Sequence, residues 1–402
     1  MLTLLVGTSL AEPLTIRVQG PTGDIAPQAI AGFNVGLSMP VVLHLEEFGA
    51  LTLRTVRYPP GNDADDYPLT TDRMDAFKAQ WGFLGEPDVL LVANYFDGPE
   101  QAVFTARYFE EIGVPIAYWA VGNEPDLYPR NRMDPTWTVE LYCEHFRLFA
   151  DALRSVHPDA VVTGPAISSS QDYLAEFVRR CGDVVDVLTW HVYPTDGTWD
   201  DVSALATSSS VGQQIRLFRE WLRDPATNPL GHDRDIGLAI TEFGLSWRTT
   251  NYRHLEDIVA ALWLADALGQ MAVEGLDMSH YFALQAMGGH GLIDRGGWIR
   301  PTYYVYEMLA DFSGEALAVD GATDLVTAYA ARNERGTLVL LVNGSTDDVE
   351  VVVEGLGAGV TFEVATLDDA IYDEILAYRR STQDAAERVL LPARSIVTVR
   401  TP

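Results

Sequence analysis

The sequence predicts an α/β protein: a (β/α)8 TIM barrel with an appended C-terminal β-sandwich that the N-terminal strand joins. Three observations point there. Strand-like and helix-like stretches alternate through eight units between about residues 31 and 310. A run of short β-branched strands without helical periodicity follows residue 313, and one more alternating strand precedes the barrel. The division this implies is 1–25 for the joining strand, 26–313 for the barrel and 314–402 for the sandwich.

In chain order, 14–20 alternates apolar and polar residues like the later sandwich strands. The barrel strands are expected at 31–39, 53–59, 88–95, 118–125, 161–167, 186–194, 237–244 and 278–285. Between them, 73–81, 100–112, 138–156, 170–180, 211–223, 251–269 and 302–310 place apolar residues every three or four positions, as amphipathic helices do. A doubly wound sheet is the competing arrangement. No Gly-x-Gly-x-x-Gly follows a strand, and eight units at this spacing close better as a barrel. Sandwich strands are expected at 325–332, 337–343, 349–354, 360–365 and 389–400. No Gly/Ser-rich or Pro-rich linker separates the two parts, so rigid packing is expected.

Charge excludes some partners. With 27 basic and 57 acidic residues the net charge is −30, and Lys78 is the only lysine. Such a field repels phosphate backbones and anionic lipid headgroups, which argues against nucleic-acid and membrane-surface binding. The acidity itself reads as solubility or a salty, hot or high-GC lineage, with arginines available for ion-pair networks. Cys143 and Cys181 have neither CxxC spacing nor a histidine in ligand pattern, so no zinc site is expected. They fall on consecutive barrel helices, where a disulfide is geometrically open; the expectation is two buried thiols. The short apolar start, Met1 to Ala11, lacks a basic leader and reads either as a clipped secretion signal or as a first strand. A secreted and a cytoplasmic location both stay open, as does the oligomeric state. No run reaches transmembrane length.

Barrel enzymes carry their chemistry at the C-terminal ends of the strands. Here the second strand delivers Arg57-Tyr58-Pro59-Pro60-Gly61-Asn62, the third Asn94-Tyr95, the fourth Asn123-Glu124, the sixth His191-Val192-Tyr193 and the seventh Glu242. A carboxylate at a strand end can simply cap the next helix. Two of them on one rim, with an arginine, a histidine and tyrosines, are harder to ascribe to packing. They are what a retaining glycosidase needs, one protonating the leaving oxygen and the other attacking the sugar carbon.

At these residues the chain resembles the clan of retaining (β/α)8 glycoside hydrolases, with the acid/base on strand four and the nucleophile on strand seven. Gly122-Asn123-Glu124-Pro125-Asp126-Leu127-Tyr128 is similar to the heparanase and β-glucuronidase family. Arg57-Tyr58-Pro59-Pro60-Gly61-Asn62 is similar to the Arg-Phe-Pro-Gly-Gly-Asn string of that family and of the α-L-arabinofuranosidases. The appended β-domain is shared with these and with β-xylosidases. The resemblance implies Glu124 as general acid/base, Glu242 as nucleophile, Arg57 and Tyr193 as hydrogen-bond donors to Glu242, and Asn123 as a contact to the sugar hydroxyl beside the reacting carbon. The nucleophile must stay ionised and the acid must hold its proton, a division that two neighbouring carboxylates assist. No metal or organic cofactor is called for, and the expected partner is a carbohydrate substrate.

The remaining candidates are His191, Asn94 and Tyr95, and the rim tryptophans Trp137, Trp199, Trp247 and Trp298, of which Trp247 and Trp298 are the chosen sugar platforms. Trp81, Trp221 and Trp263 fall in helices and read as core. The eighth strand offers Phe282 and Gln285 where many clan members carry a tryptophan. The loop 287–300, with His290, Asp294, Arg295, Trp298 and Arg300, reads as the specificity element. Arg248, Arg295 and Arg300 are the candidate countercharges for a uronate; each reads first as a solvent-exposed salt partner in an acidic protein. A net charge of −30 disfavours a sulfated polymer. A transglycosylase with the same residues and a non-catalytic carbohydrate-binding barrel are the rival readings.

Overall fold

The computed structural model describes residues 12–36, 43–248, 253–285, 289–357, 362–372, 379–383 and 388–401. The strands in chain order begin with β1 (Leu14–Ile25), β2 (Gly32–Asn34), β3 (Thr55–Tyr58), β4 (Asp88–Ala93) and β5 (Tyr118–Val121). They continue with β6 (Val161–Ile167), β7 (Val187–Val192), β8 (Gly237–Phe243) and β9 (Met278–Tyr281). β2 to β9 form a closed parallel barrel, sealed where Phe33 of β2 pairs with Tyr281 of β9. The barrel is therefore the one expected, with β5 as its fourth strand and β8 as its seventh. Residues 37–39 of the first expected strand and the start of the chain, 1–11, lie outside the described residues.

The helices follow the apolar spacing. Val139–Val156 begins at Thr138, whose hydroxyl accepts the Leu141 N–H, and buries Tyr142, Cys143, Phe146, Phe149, Ala150 and Leu153. Ile258–Val273 is instead buried nearly all round. It lies between barrel and sheet, so both of its faces need apolar residues. Trp81 and Trp263 are core residues, and Trp221 is partly buried against the core.

The other eight strands are β10 (Gly314–Asp320), β11 (Val326–Asn333), β12 (Gly336–Asn343), β13 (Val349–Glu354), β14 (Phe362–Leu367), β15 (Arg379–Gln383), β16 (Arg388–Leu391) and β17 (Ser395–Arg400). They hydrogen-bond in one sheet ordered β15-β14-β17-β12-β11-β10-β1-β13-β16. β1 lies antiparallel to β10 and parallel to β13, so the N-terminal strand joins the C-terminal sheet. The expected sandwich of two separate sheets is not what the hydrogen bonds form. One curled sheet gathers Ile16, Val18, Leu341, Val351, Val389 and Val397 into a single cluster on one face. On its other face Leu338, Leu340, Val342, Leu367 and Ile396 join the barrel core. A polar clamp fixes this contact: Asp266 of the Ile258–Val273 helix accepts from the hydroxyls of Thr327 (2.5 Å) and Tyr329 (2.7 Å). Gly269 keeps the clamp tight, since a Cβ there would stand 2.2 Å from the Tyr329 ring.

Two further expectations are corrected. The run 389–400 is two strands, β16 and β17, parted at Pro392, which has no N–H to give a ladder. Cys143 and Cys181 are not thiols but a disulfide, Cα to Cα 6.1 Å, because the neighbouring helices Val139–Val156 and Gln171–Cys181 present the two side chains to each other. No helix among the described residues is long and apolar enough to cross a membrane.

Candidate active site

Glu242 lies near the end of β8, and β7 brings His191 beside it. The register between these strands runs Trp190 to Ile240 and then His191 to Glu242, a one-residue slip that sets the imidazole next to the carboxylate. Glu124 follows β5 in left-handed backbone (φ 50°, ψ 56°), between Gly122 at φ 70° and Pro125. That conformation is rare without glycine and concentrates at functional sites. It is held by the Glu124 N–H donating to the Ala166 carbonyl at 3.0 Å.

The side chains converge. Glu124, His191 and Glu242 each place one oxygen or nitrogen within 4.8 Å of the others. His191 Nδ1 is 3.0 Å from Glu124 Oε1 and 3.8 Å from Glu242 Oε2. Arg57, wholly buried, donates from Nη1 to Glu242 Oε1 (2.6 Å) and Asn34 Oδ1 (2.9 Å), and from Nη2 to Asn123 Oδ1 (2.7 Å). The Tyr193 hydroxyl donates to Glu242 Oε2 at 3.1 Å. Asn34 in turn donates to the Thr241 and His280 carbonyls at 2.9 and 3.2 Å, which anchors the guanidinium to β8 and β9.

The electrostatics follow from these contacts. Burial alone would raise the Glu242 carboxyl. The neighbouring His191 and Arg57 and the hydrogen bonds from Arg57 and Tyr193 outweigh it and hold the group below its ordinary range. Burial and the adjacent Glu242 push Tyr193 well up, so it stays a phenol and a donor. An imidazole and two carboxylates are donor types a divalent cation accepts. Here Glu242 already gives one oxygen to Arg57 and the other to Tyr193, and a guanidinium 2.6 Å away repels a second cation.

A wall of rings borders Glu242. Phe282 meets His290 edge-on at 5.4 Å and Tyr193 at 6.4 Å, and His290 meets Tyr193 at 6.2 Å. Gly61, at φ 53°, leaves the room: a Cβ there would stand 3.4 Å from Phe282 and 3.8 Å from Glu242 Oε1. Burial pushes His290 down to about 4, helped by Arg300 and opposed by Glu242 and a hydrogen bond to the Trp247 backbone.

Other candidates are placed elsewhere. Asn94 accepts from the Phe96 and Asp97 N–H groups and donates to the Asp65 carbonyl. Tyr95 is buried among Tyr128, Trp137, Tyr142 and Phe149. Among the described residues neither is hydrogen-bonded to the carboxylates. Trp137 belongs to that same ring cluster, whereas Trp199, Trp247 and Trp298 are 47%, 52% and 70% exposed. Arg300 is buried and spends its two terminal nitrogens on the Gly291 carbonyl and Glu256; Arg248 stacks on Trp247 at 4.3 Å. Two residues that sequence reading passed over shape the site: Asn34, in a strand that reads as apolar, and Asp65, in an acidic run that reads as solvated.

No family model matches the chain. A β-xylosidase of Caldicellulosiruptor saccharolyticus is 22% identical over 275 residues, 60% of this chain and 52% of that protein. A β-xylosidase of Geobacillus stearothermophilus is 24% identical over 281 residues, 62% of this chain and 53% of that protein. The chain thus spans about half the length of the curated relatives it matches. Among solved structures, an α-L-arabinofuranosidase from Thermotoga maritima superposes with a TM-score of 0.77 at 15% identity, covering 96% of this chain and 99% of that one. A monomeric β-xylosidase from Caulobacter crescentus superposes with a TM-score of 0.69 at 16% identity, with 96% and 99% covered. By fold and by sequence the chain is similar to clan A (β/α)8 glycoside hydrolases.

Proposed function

We propose that the protein is a retaining glycoside hydrolase that cleaves β-linked glycosides or oligosaccharides by double displacement. The observation that carries this is the approach of Glu124 and Glu242, whose oxygens come within 4.8 Å. Retaining enzymes set their carboxyl groups about 5–5.5 Å apart, and inverting ones leave room for a water at about 6.5–9.5 Å. Glu242, ionised against Arg57 and Tyr193, attacks the anomeric carbon. Glu124 gives its proton to the leaving oxygen and later takes one from the water that frees the sugar. Asn123 keeps one amide hydrogen for Asn62 and has a second for the hydroxyl beside the reacting carbon. His191 orients the Glu124 carboxyl, and Trp247 and Trp298 offer ring faces to the sugar chain.

A neutral glycone fits the site without a countercharge: Arg57 and Arg300 are committed to Glu242, Asn123, Glu256 and the Gly291 carbonyl, so a uronate would have to draw on the exposed Arg248 or Arg295. The names of the sequence relatives make a β-xyloside the first to try. The barrel within 26–313 carries the chemistry, with β1 and the C-terminal sheet as its support.

The test is a panel of nitrophenyl glycosides, β-xyloside first, with product anomers followed by NMR. Cleavage with retention is expected, with Glu242→Ala inactive and Glu124→Ala reduced by roughly 10²–10⁴-fold. Absence of cleavage across the panel, full activity in either variant, or an inverted first product rejects the reading.

A further inference from the structure

The backbone that presents Glu124 is fastened by a residue from a different strand end. Asp65 sits in the short helix Asp63–Asp66 that follows the β3 loop, and it is buried. Its Oδ2 accepts from the Asn123 N–H at 2.8 Å and from the Tyr128 hydroxyl at 2.6 Å; its Oδ1 accepts from the Tyr95 N–H at 3.0 Å. One carboxylate therefore ties the loops after β3, β4 and β5 together. No arginine, lysine or histidine lies within ion-pair distance of it among the described residues. Burying a carboxylate is costly; burial raises the Asp65 carboxyl above its ordinary range, and the donors Tyr128, Tyr95 and Asn123, with the more distant Arg132 charge, offset part of that.

The staple acts where the chain is most constrained. Asn123 is flanked by two left-handed residues, Gly122 and Glu124. The turn leaves no slack, since a Cβ on Gly122 would stand 2.3 Å from the Tyr128 hydroxyl. The Asn123 side chain is held as well, by Arg57 Nη2 at 2.7 Å and Asn62 Oδ1 at 3.2 Å. With Asn123 fixed at backbone and side chain, Glu124 has one way to leave the turn, toward His191 Nδ1 and Glu242. We infer that Asp65 is the positioning residue of the acid/base: it touches no reacting atom and sets the place of Glu124 through the Asn123 N–H, with Tyr128 as its partner. This rests on the glycosidase reading above and assigns a device within that site.

Leaving groups separate this role from plain structural support. A displaced acid slows departure of a basic leaving group that needs a proton and spares an acidic one that does not. The experiment compares the wild-type chain with Asp65→Ala and Tyr128→Phe on a 2,4-dinitrophenyl glycoside and on the methyl glycoside of the same sugar. The expected result is a loss of kcat/KM, which reports departure of the leaving group, at least about tenfold larger on the methyl glycoside than on the dinitrophenyl glycoside. Asp65→Asn should recover part of it, because its one oxygen can still face Asn123 and Tyr128. Tyr128→Phe keeps the ring packing and reads the same staple should Asp65→Ala fail to fold. Equal losses on both substrates, or none on either, overturn the inference. Cleavage of neither substrate by the wild type overturns the glycosidase reading instead.

Discussion

Arg57 Nη1 stands 2.6 Å from Glu242 Oε1, and both side chains are shut away from solvent. Neither could be buried alone: the carboxylate needs the guanidinium, and the guanidinium's terminal nitrogens need Asn34, Asn123 and Glu242 as acceptors. Breaking such a pair by removing one member costs about 3–5 kcal/mol, mostly from the charge left behind. Arg57→Met is therefore expected to lower the unfolding free energy by about that amount and to abolish turnover. Arg57→Lys should not restore activity, because one ammonium cannot serve three acceptors on two fixed forks. Chemical denaturation beside steady-state kinetics checks both statements.

The depressed Glu242 sets the acid side of the pH dependence. Its folded-state pKa lies below the usual 4.5, so the stability it supplies is complete above that value and is lost as pH falls through the folded value. The nucleophile stays ionised, and the acid limb of kcat/KM should fall below about 4.5. Tyr193→Phe removes one donor to the anion and keeps the ring. The expected outcome is an acid limb displaced upward, together with a loss of roughly tenfold or more in kcat. An unmoved limb would show that Tyr193 does not hold the ionised carboxylate.

The barrel was legible because each β/α unit advertises itself locally, through a short apolar run followed by a three-and-four spacing. The catalytic rim was legible for a related reason. Once strands are counted, their ends are known, and Arg57, Glu124, His191, Tyr193 and Glu242 all sit at ends. Pairing order is a different matter. Whether the C-terminal strands make two sheets or one curled one depends on which edges meet, and β1 finding a place between β10 and β13 is a contact between opposite ends of the chain. β15, Arg-Arg-Ser-Thr-Gln, has no apolar alternation to reveal it. Asp65 was hidden by its neighbours: in Asn62-Asp63-Ala64-Asp65-Asp66, nothing local tells the buried acid from half-buried Asp63 and exposed Asp66.

His290 gives the wall beside Glu242 its own pH signature. Burial puts its folded-state value at about 4, against an ordinary 6.5. Above about pH 6.5 neither folded nor unfolded chain binds the proton; between 6.5 and 4 only the unfolded chain does, so stability falls with pH across that window. His280, pushed down by burial and by the Arg57 charge, acts in the same direction, so the informative quantity is a difference between variants. His290→Gln is expected to lessen the stability lost between about pH 7 and 5 by up to about 2 kcal/mol, at about 1.4 kcal/mol per pKa unit. Urea midpoints at the two pH values measure it. Parallel curves for wild type and variant would show that His290 takes up its proton in the folded state.

The Cys143–Cys181 disulfide is the last lever, and it acts far from the chemistry in kind as well as place. It closes a loop of 38 residues between two helices on the outside of the barrel. By loop-closure entropy such a bridge is worth about 4 kcal/mol against the unfolded chain. It ties no residue of the Arg57–Glu242 cluster, and the helices it joins are also held by packing of Phe146 against Phe177 at 5.2 Å. Reduction with dithiothreitol, or the pair Cys143→Ala and Cys181→Ala together, should lower the melting temperature while leaving kcat at 25 °C within about twofold. A large loss of kcat at that temperature, with the fold intact by circular dichroism, would mean that the outer helices govern the placement of β5 and β6 and hence of Glu124.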